Sequence, residues 1–245
     1  MQSPIRDIIN QESQKNFNPT TVDTVIKGWP SASKPVAVGC ADGERYVIKG
    51  SQNGKMLYNE YVCGRLGNLL NAPVAWVKFV EIPLNARVGE LAHFGTGYAL
   101  GSLMLAKASE RAGIDYIDSP KNRTGFAGLA IMYSWCKAND HQLLYQEVPP
   151  HDVLSNDHGH FFPGGPNWTE SSLANEGDVV KDIYFNSCNL QPADFVPFWP
   201  LLNNITDQEI IKIVNNPPEW GVIQTERDAL ASYLIKRRNQ VQAAF

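Results

Sequence analysis

Acids, amides and histidines crowd one short stretch of this 245-residue chain. It reads Asp140-His-Gln-Leu-Leu-Tyr-Gln-Glu-Val-Pro-Pro-His-Asp-Val-Leu-Ser-Asn-Asp157, then His-Gly-His-Phe161-Phe162. The pattern predicts a strand over Gln142–Gln146, a turn at Val148-Pro-Pro-His151 and a return strand over Asp152–Asn156. The midpoint between Asp140 and Asp157 falls at the Val148–Pro149 boundary. Folding there carries both acids to one open end of a hairpin, with Gln142 close to Asp157. Two carboxylates and an amide oxygen suit a divalent cation held by oxygen ligands. Alternatively, one acid serves as base while the other holds metal. The plain alternative is an ordinary hairpin with polar ends. An unpaired buried carboxylate costs several kcal/mol, so Asp157, set against two phenylalanines, needs a partner, a metal or open solvent. Four of the five histidines (His141, His151, His158, His160) fall within twenty residues. That density admits a metal-dependent hydrolase as a further reading, although no HExxH or other zinc spacing is present.

Two further groups carry chemistry of their own. Lys49 ends the apolar run Arg45-Tyr-Val-Ile and is followed by Gly50, where the chain can turn or approach a ligand closely. Glu60 follows early in a helical pattern. A strand lysine tied to a helix glutamate is the pair that orients a lysine onto nucleotide phosphates, and any strand–helix unit can offer one by accident. Gly28-Trp-Pro-Ser31-Ala-Ser33-Lys34-Pro35 combines glycine, two serines and a lysine between predicted strands. Such a turn can hold phosphate through backbone N–H groups and hydroxyls, or be a plain surface loop. It is neither a Walker A motif nor GxGxxG.

The elements around these residues fall into two halves. Pro35–Cys40 and Arg45–Lys49 read as strands about an Asp42-Gly43 hairpin turn. Leu57, Tyr61, Val62, Leu66, Leu69 and Leu70 recur at helical spacing, ended by Asn71-Ala-Pro73. Ala75–Ile82 is a strand, Gly89–Gly101 a loop or junction, and Ser102–Ala106 one more strand. From about Gly125 the pattern is helical. Thr206-Asp-Gln-Glu209 is a capping box, and Asn216-Pro-Pro218 is a break. Pro217-Pro-Glu-Trp220 reads as a turn with a buried indole. Thr225 opens a long helix with Lys236-Arg-Arg238 on its solvated side. The expected fold class is α+β: a strand-rich lobe over 1–106, a mainly helical lobe over 107–245, and a cleft between them.

Composition narrows the classes. The chain is 43% hydrophobic and 19% charged, which is ordinary for a globular protein. A net charge of −4 gives no strong nucleic-acid or anionic-membrane signal. No segment reaches the roughly 18 apolar residues of a membrane helix. Residues 1–17 carry no apolar signal core, so a cytoplasmic location is expected. Cys40, Cys63, Cys136 and Cys188 have no metal spacing and read as free thiols.

The order of the pieces resembles the HipA-like kinases, of the protein-kinase-like and phosphatidylinositol-kinase-like superfamily. The resemblance runs from Ser33-Lys-Pro through DGERYVIK, NEYVCGRLGNLLNAPV, ANDHQLLY, SNDHGHFF and PPEWG to the terminal helix. It implies a two-lobed kinase-like fold and ATP- and Mg²⁺-dependent phosphotransfer to a protein serine or threonine, or to a small molecule. Carried over by residue, Lys49 resembles the ATP-phosphate lysine and Glu60 its helix partner. Asp140 resembles the catalytic aspartate, and Asp157 the metal-binding acid at the DFG-like position. Ser31, Ser33 and Lys34 resemble the phosphate loop, and Leu105 falls where the adenine-contacting hinge belongs. An antitoxin-like regulatory partner is also implied. Two departures stand out. The HRD-type pair is absent, with Lys137-Ala-Asn139 in its place. Gln142 stands as metal ligand where asparagine is expected, and Asn139 is a substitute from the other side of Asp140. A kinase degenerate in this loop would hold nucleotide, or work by contact, without turnover.

Overall fold

The computed structural model describes residues 19–105, 107–111 and 113–245. The signal-core reading of residues 1–17 and the expected strand end at Ala106 lie outside the described residues. The chain divides into two compact units. One holds the described residues up to Gln52 together with Val77–Met104, and the other holds Asn53–Trp76 with Leu105–Phe245.

In the first unit, β1 (Thr20–Gly28), β2 (Val36–Cys40), β3 (Arg45–Lys49), β4 (Val77–Glu81) and β5 (Tyr98–Leu103) close into a barrel ordered β1-β2-β3-β5-β4. β1 and β4 pair in parallel, and the other neighbours pair antiparallel. Asp42-Gly43 makes the β2–β3 turn: Gly43 has φ +83°, and the Glu44 N–H donates to Asp42 Oδ1 at 3.2 Å. Strand alternation turns Val36, Val38, Tyr46 and Ile48 into the core beside Val22, Val80 and Phe94.

One expectation in this unit is corrected. The sequence predicts a loop up to Gly101 and a strand from Ser102, but the strand spans Tyr98–Leu103. Gly101 pairs with Ile48 on one side and Lys78 on the other. A Cβ there would sit 2.7 Å from Val80 Cγ2 and 3.0 Å from Tyr46 Cβ. The glycine therefore marks close packing inside a strand rather than a turn.

The second unit contains α1 (Lys55–Leu69), β6 (Ala108–Arg111), α2 (Pro120–Cys136), β7 (Gln142–Gln146), β8 (Val153–Asn156), α3 (Glu170–Ala174), α4 (Pro192–Phe195), α5 (Trp199–Asn204), α6 (Asp207–Asn215) and α7 (Gln224–Val241). The helix α1, expected within 1–106, packs with this unit. α2 starts at Pro120 rather than near Gly125, because proline is favoured in a first helical turn and Ser119 precedes it. Its Phe126, Leu129, Tyr133 and Trp135 are fully buried and form the centre of the unit. Lys137 ends it in a left-handed conformation, φ +61°. β7 and β8 form the expected hairpin, and β6 adds a third strand to the free edge of β7.

The capping box of α6 forms as the sequence predicts. Thr206 Oγ1 accepts from the Glu209 N–H at 3.2 Å, and Glu209 Oε2 accepts from the Thr206 N–H at 2.8 Å. Thr206→Ala is expected to cost about 1 kcal/mol, read as a fall of a few degrees in Tm. No change in Tm would mean that α6 is held by its apolar face alone.

The terminal helix brings a second correction. Lys236 is exposed, but Arg237 is buried, with 2% of its surface accessible. Its guanidinium donates to the carbonyls of Trp135, Ser134 and Gly177 at 2.8, 2.6 and 3.3 Å. The Trp220 indole is buried as expected, and Arg227 donates to the carbonyls of Pro217 and Pro218. The four cysteines are free and buried. Among the described residues no helix is long and apolar enough to cross a membrane.

Candidate functional site

The β7–β8 hairpin sets the site. Its ladder opposes Gln142 to Asn156, Leu143 to Ser155, Leu144 to Leu154 and Tyr145 to Val153. Leu143, Tyr145, Val153 and Ser155 point into the core. Gln142 and Asn156 form the last pair at the open end, and both are half-buried. Asp140 lies just before that pair and Asp157 just after it, as the spacing predicts. Asp157 leaves the strand in a left-handed conformation, φ +55° and ψ +64°. Such a conformation costs a residue with a side chain roughly 1–3 kcal/mol and persists only where the surroundings impose it.

The surroundings do impose it. Ahead of Asp157, Ser155 Oγ lies 2.6 Å from Tyr133 Oη and 2.7 Å from His158 Nε2, all three residues buried. Burial pushes the Tyr133 phenol well above its ordinary range, against the opposite pull of Ser155, so it stays a neutral hydroxyl. Behind Asp157, Phe161 and Phe162 are fully buried, and Tyr133 meets Phe161 edge-on at 5.0 Å. The two phenylalanines thus form a buried floor in the chain that follows the acid.

Asp140 is half-buried, and its Oδ1 accepts the N–H of His141 at 2.9 Å. The His141 ring stacks on Tyr184 at 4.3 Å, and its Nε2 lies 3.1 Å from Asp182 Oδ2. Asp182 Oδ1 in turn accepts the Tyr184 N–H, and the Asp182 N–H donates to Ser134 Oγ, both at 2.8 Å. Asn139 donates its amide to the carbonyls of Phe162 and His160 at 2.6 and 3.0 Å, which ties the loop to the floor. The short loop around Asp140 is therefore held from both flanks.

The four clustered histidines do not converge. His141 pairs with Asp182, and His158 with Ser155. His151 stacks on Tyr116 at 4.2 Å, and His160 is exposed. Among the described residues no group of three His, Cys, Asp or Glu side chains is arranged to hold a metal by itself. The donors at the hairpin's open end are instead carboxylate and amide oxygens. Hard oxygen donors in small number fit Mg²⁺, which is usually bound through one or two carboxylates plus substrate phosphates.

The other sequence-marked residues lie as follows. Glu60 is on α1 with 3% of its surface accessible. Leu105 lies past the end of β5, half-buried in irregular chain. Lys49 ends β3 opposite Leu100, with 8% of its surface accessible. Ser31, Ser33 and Lys34 form the β1–β2 turn, closed by the Lys34 N–H on Ser31 O at 3.0 Å. Ser31 and Lys34 are exposed, and Lys34 takes φ +44°. Asp182, Tyr184, Ser155 and Asn59 were not marked by the sequence. Each acts through a partner distant in the chain, and no local spacing announces it.

Residues 25–142 match the sequence model described as HipA-like kinase. No curated protein matches the chain. Among solved structures, the Helicobacter pylori proinflammatory kinase CtkA aligns with a TM-score of 0.60 at 11% identity, covering 93% of this chain and 96% of that one. The Golgi casein kinase with Mn/ADP bound aligns with a TM-score of 0.52 at 8% identity, covering 98% of this chain and 76% of that one. The chain thus resembles the HipA-like kinases and has a kinase-like α+β fold.

Proposed function

We propose that this chain, whose residues 25–142 carry the HipA-like kinase pattern, is an ATP- and Mg²⁺-dependent phosphotransferase acting on a protein serine or threonine. The observation that carries the reading is the hairpin, which gathers Asp140, Gln142 and Asp157 at one open end. In this reading Asp140 accepts the proton of the acceptor hydroxyl. Asp157 and Gln142 hold the metal through oxygen. Mg²⁺, when bound, supplies charge neutralisation on the phosphates; the protein supplies position and a fixed electrostatic field. The remaining roles come by resemblance alone: Lys49, Ser31, Ser33 and Lys34 resemble groups that serve the phosphates, Glu60 the helix partner of such a lysine, and Leu105 the adenine hinge. The manganese and ADP named with the Golgi casein kinase support a nucleotide and a divalent metal as the cofactors.

Asp140→Ala is expected to reduce ATP-dependent transfer by about a hundredfold to ten-thousandfold, the range of a positioned general base. Its thermal shift with ATP and Mg²⁺ should match that of the parent, because binding alone sets that shift. Parent-level transfer in the variant would remove Asp140 from the reaction. A second reading is favoured by Gln142, whose longer arm replaces the expected asparagine: a nucleotide-binding protein without turnover. A thermal shift with ATP and Mg²⁺ but no transfer by the parent chain selects that reading, and no shift counts against both.

A further inference from the structure

The side chain of Asn59 fastens the chain that follows Asp157 to α1. Asn59 is fully buried, and its Nδ2 donates to the carbonyls of Gly159, Phe161 and Gly165 at 2.9, 3.2 and 3.4 Å. Its Oδ1 accepts the Trp168 indole N–H at 2.8 Å. Both donors and the acceptor of this amide are thereby engaged, and all on one segment. The preceding turn of α1 reinforces the contact. A Cβ at Gly159 would lie 3.2 Å from Met56 Cβ and 3.3 Å from Met56 O, so a side chain there would push the two backbones apart by a few tenths of an ångström. Lys55 Nζ bonds the Trp168 carbonyl at 2.9 Å and Glu226 Oε1 at 2.5 Å, and lies 4.2 Å from the centre of the Trp168 ring.

We infer that Asn59 is a positioning residue for Asp157, fixing the 157–168 segment against α1 and so setting the acid. Asp157 is then held from both directions: by Ser155, His158 and Tyr133 before it and beside it, and by Asn59 beyond it. The inference rests on the metal-binding reading of Asp157, and the test separates the two.

Three variants of the full chain are compared with the parent. Asn59→Leu keeps the branched shape and removes the bonds. Asn59→Asp keeps the acceptor for Trp168 and turns a carboxylate oxygen on three carbonyls. Trp168→Phe removes the indole N–H together with one ring of a buried side chain, and leaves Asn59 in place. Hydrogen–deuterium exchange across 156–168 reads position directly, and a Mg²⁺ titration of ATP turnover reads its consequence. Asn59→Leu and Asn59→Asp are expected to raise both the exchange rate there and the half-saturating Mg²⁺ by about tenfold or more, the usual effect of losing a group that orients a metal ligand. Half-saturating ATP at saturating Mg²⁺ and exchange in α7 should stay within about twofold, which a general loss of structure would not allow. Trp168→Phe should give the same pattern at about threefold or more, since one hydrogen bond and part of a buried ring are lost. Exchange and Mg²⁺ titration both within about twofold of parent in a folded Asn59 variant would overturn the inference. If the Asn59 variants do not fold, Trp168→Phe decides, and an unchanged pattern there overturns it equally. A parent without Mg²⁺-dependent turnover would sink the kinase reading, and the exchange measurement would still decide the latch.

Discussion

Asp157→Asn is expected to lower phosphotransfer by about a thousandfold while leaving Tm within about 2 °C of the parent. The two halves of that result have separate causes. Asparagine matches aspartate in shape and accepts the left-handed conformation of Asp157, φ +55°, better than most residues. The fold should therefore register little change. The metal should register a large one, because an amide oxygen replaces a carboxylate and one negative charge is lost. Asp157→Gly sharpens the test. Glycine takes a positive φ without the steric cost of a side chain, so this variant should hold or gain stability, by up to about 1 kcal/mol, while losing transfer altogether. Activity and stability would then move in opposite directions at one residue. Chelation of divalent metal by EDTA should reduce parent turnover to the level of Asp157→Asn, with little further effect on the variant. Asp157→Asn with parent-like transfer would show that the acid is only the hinge of a turn.

The parts of this site that are local in sequence were legible. The hairpin was readable because alternation over Gln142–Gln146 and the Pro149-Pro150 turn fix its register, and register fixes which residues share its open end. The α6 capping box was readable for the same reason: the motif and its hydrogen bonds span four consecutive residues. β1 was not singled out, because most of its residues beyond Val22 are exposed and it shows no sustained alternation. β6 is a four-residue edge strand with no fully buried side chain, so it too left no pattern. Gly101 misled because glycine marks turns and tight strand packing alike, and only the positions of Val80 and Tyr46 separate the two. The residues that hold the site, Asn59 and Asp182, were invisible for a different reason. A polar residue on a helix reads as solvent-facing until the segment it binds, a hundred residues away in the case of Asn59 and Gly159, is folded against it.

Arg237 is the strongest instance of that blindness, and it carries the largest expected stability effect. Lys236-Arg-Arg238 reads as a solvated basic run, yet the middle residue enters the core and spans three backbone carbonyls. Two of these, Ser134 and Trp135, belong to the last turn of α2, where carbonyls lack helical partners and the helix dipole is negative. The guanidinium fork answers both needs at once, and it lies 5.2 Å from the centre of the Tyr233 ring. Arg237→Leu preserves apolar volume but leaves those carbonyls buried without their charged donor. With hydrogen bonds to charged groups contributing about 1.5–3 kcal/mol each, the loss should be about 3–5 kcal/mol, visible as a large fall in the urea midpoint. Arg237→Lys should recover less than half, because one ammonium cannot reach all three oxygens in the guanidinium's planar geometry. Lys236→Ala, on the exposed neighbour, should stay within about 0.5 kcal/mol of the parent. The consequence reaches the site, because α2 runs directly into the Lys137–Asp140 loop. Loosening the end of α2 should lower transfer by Arg237→Lys even at temperatures where that variant is fully folded. Equal stability of Arg237→Leu and Lys236→Ala would restore the solvated reading and detach the terminal helix from the chemistry.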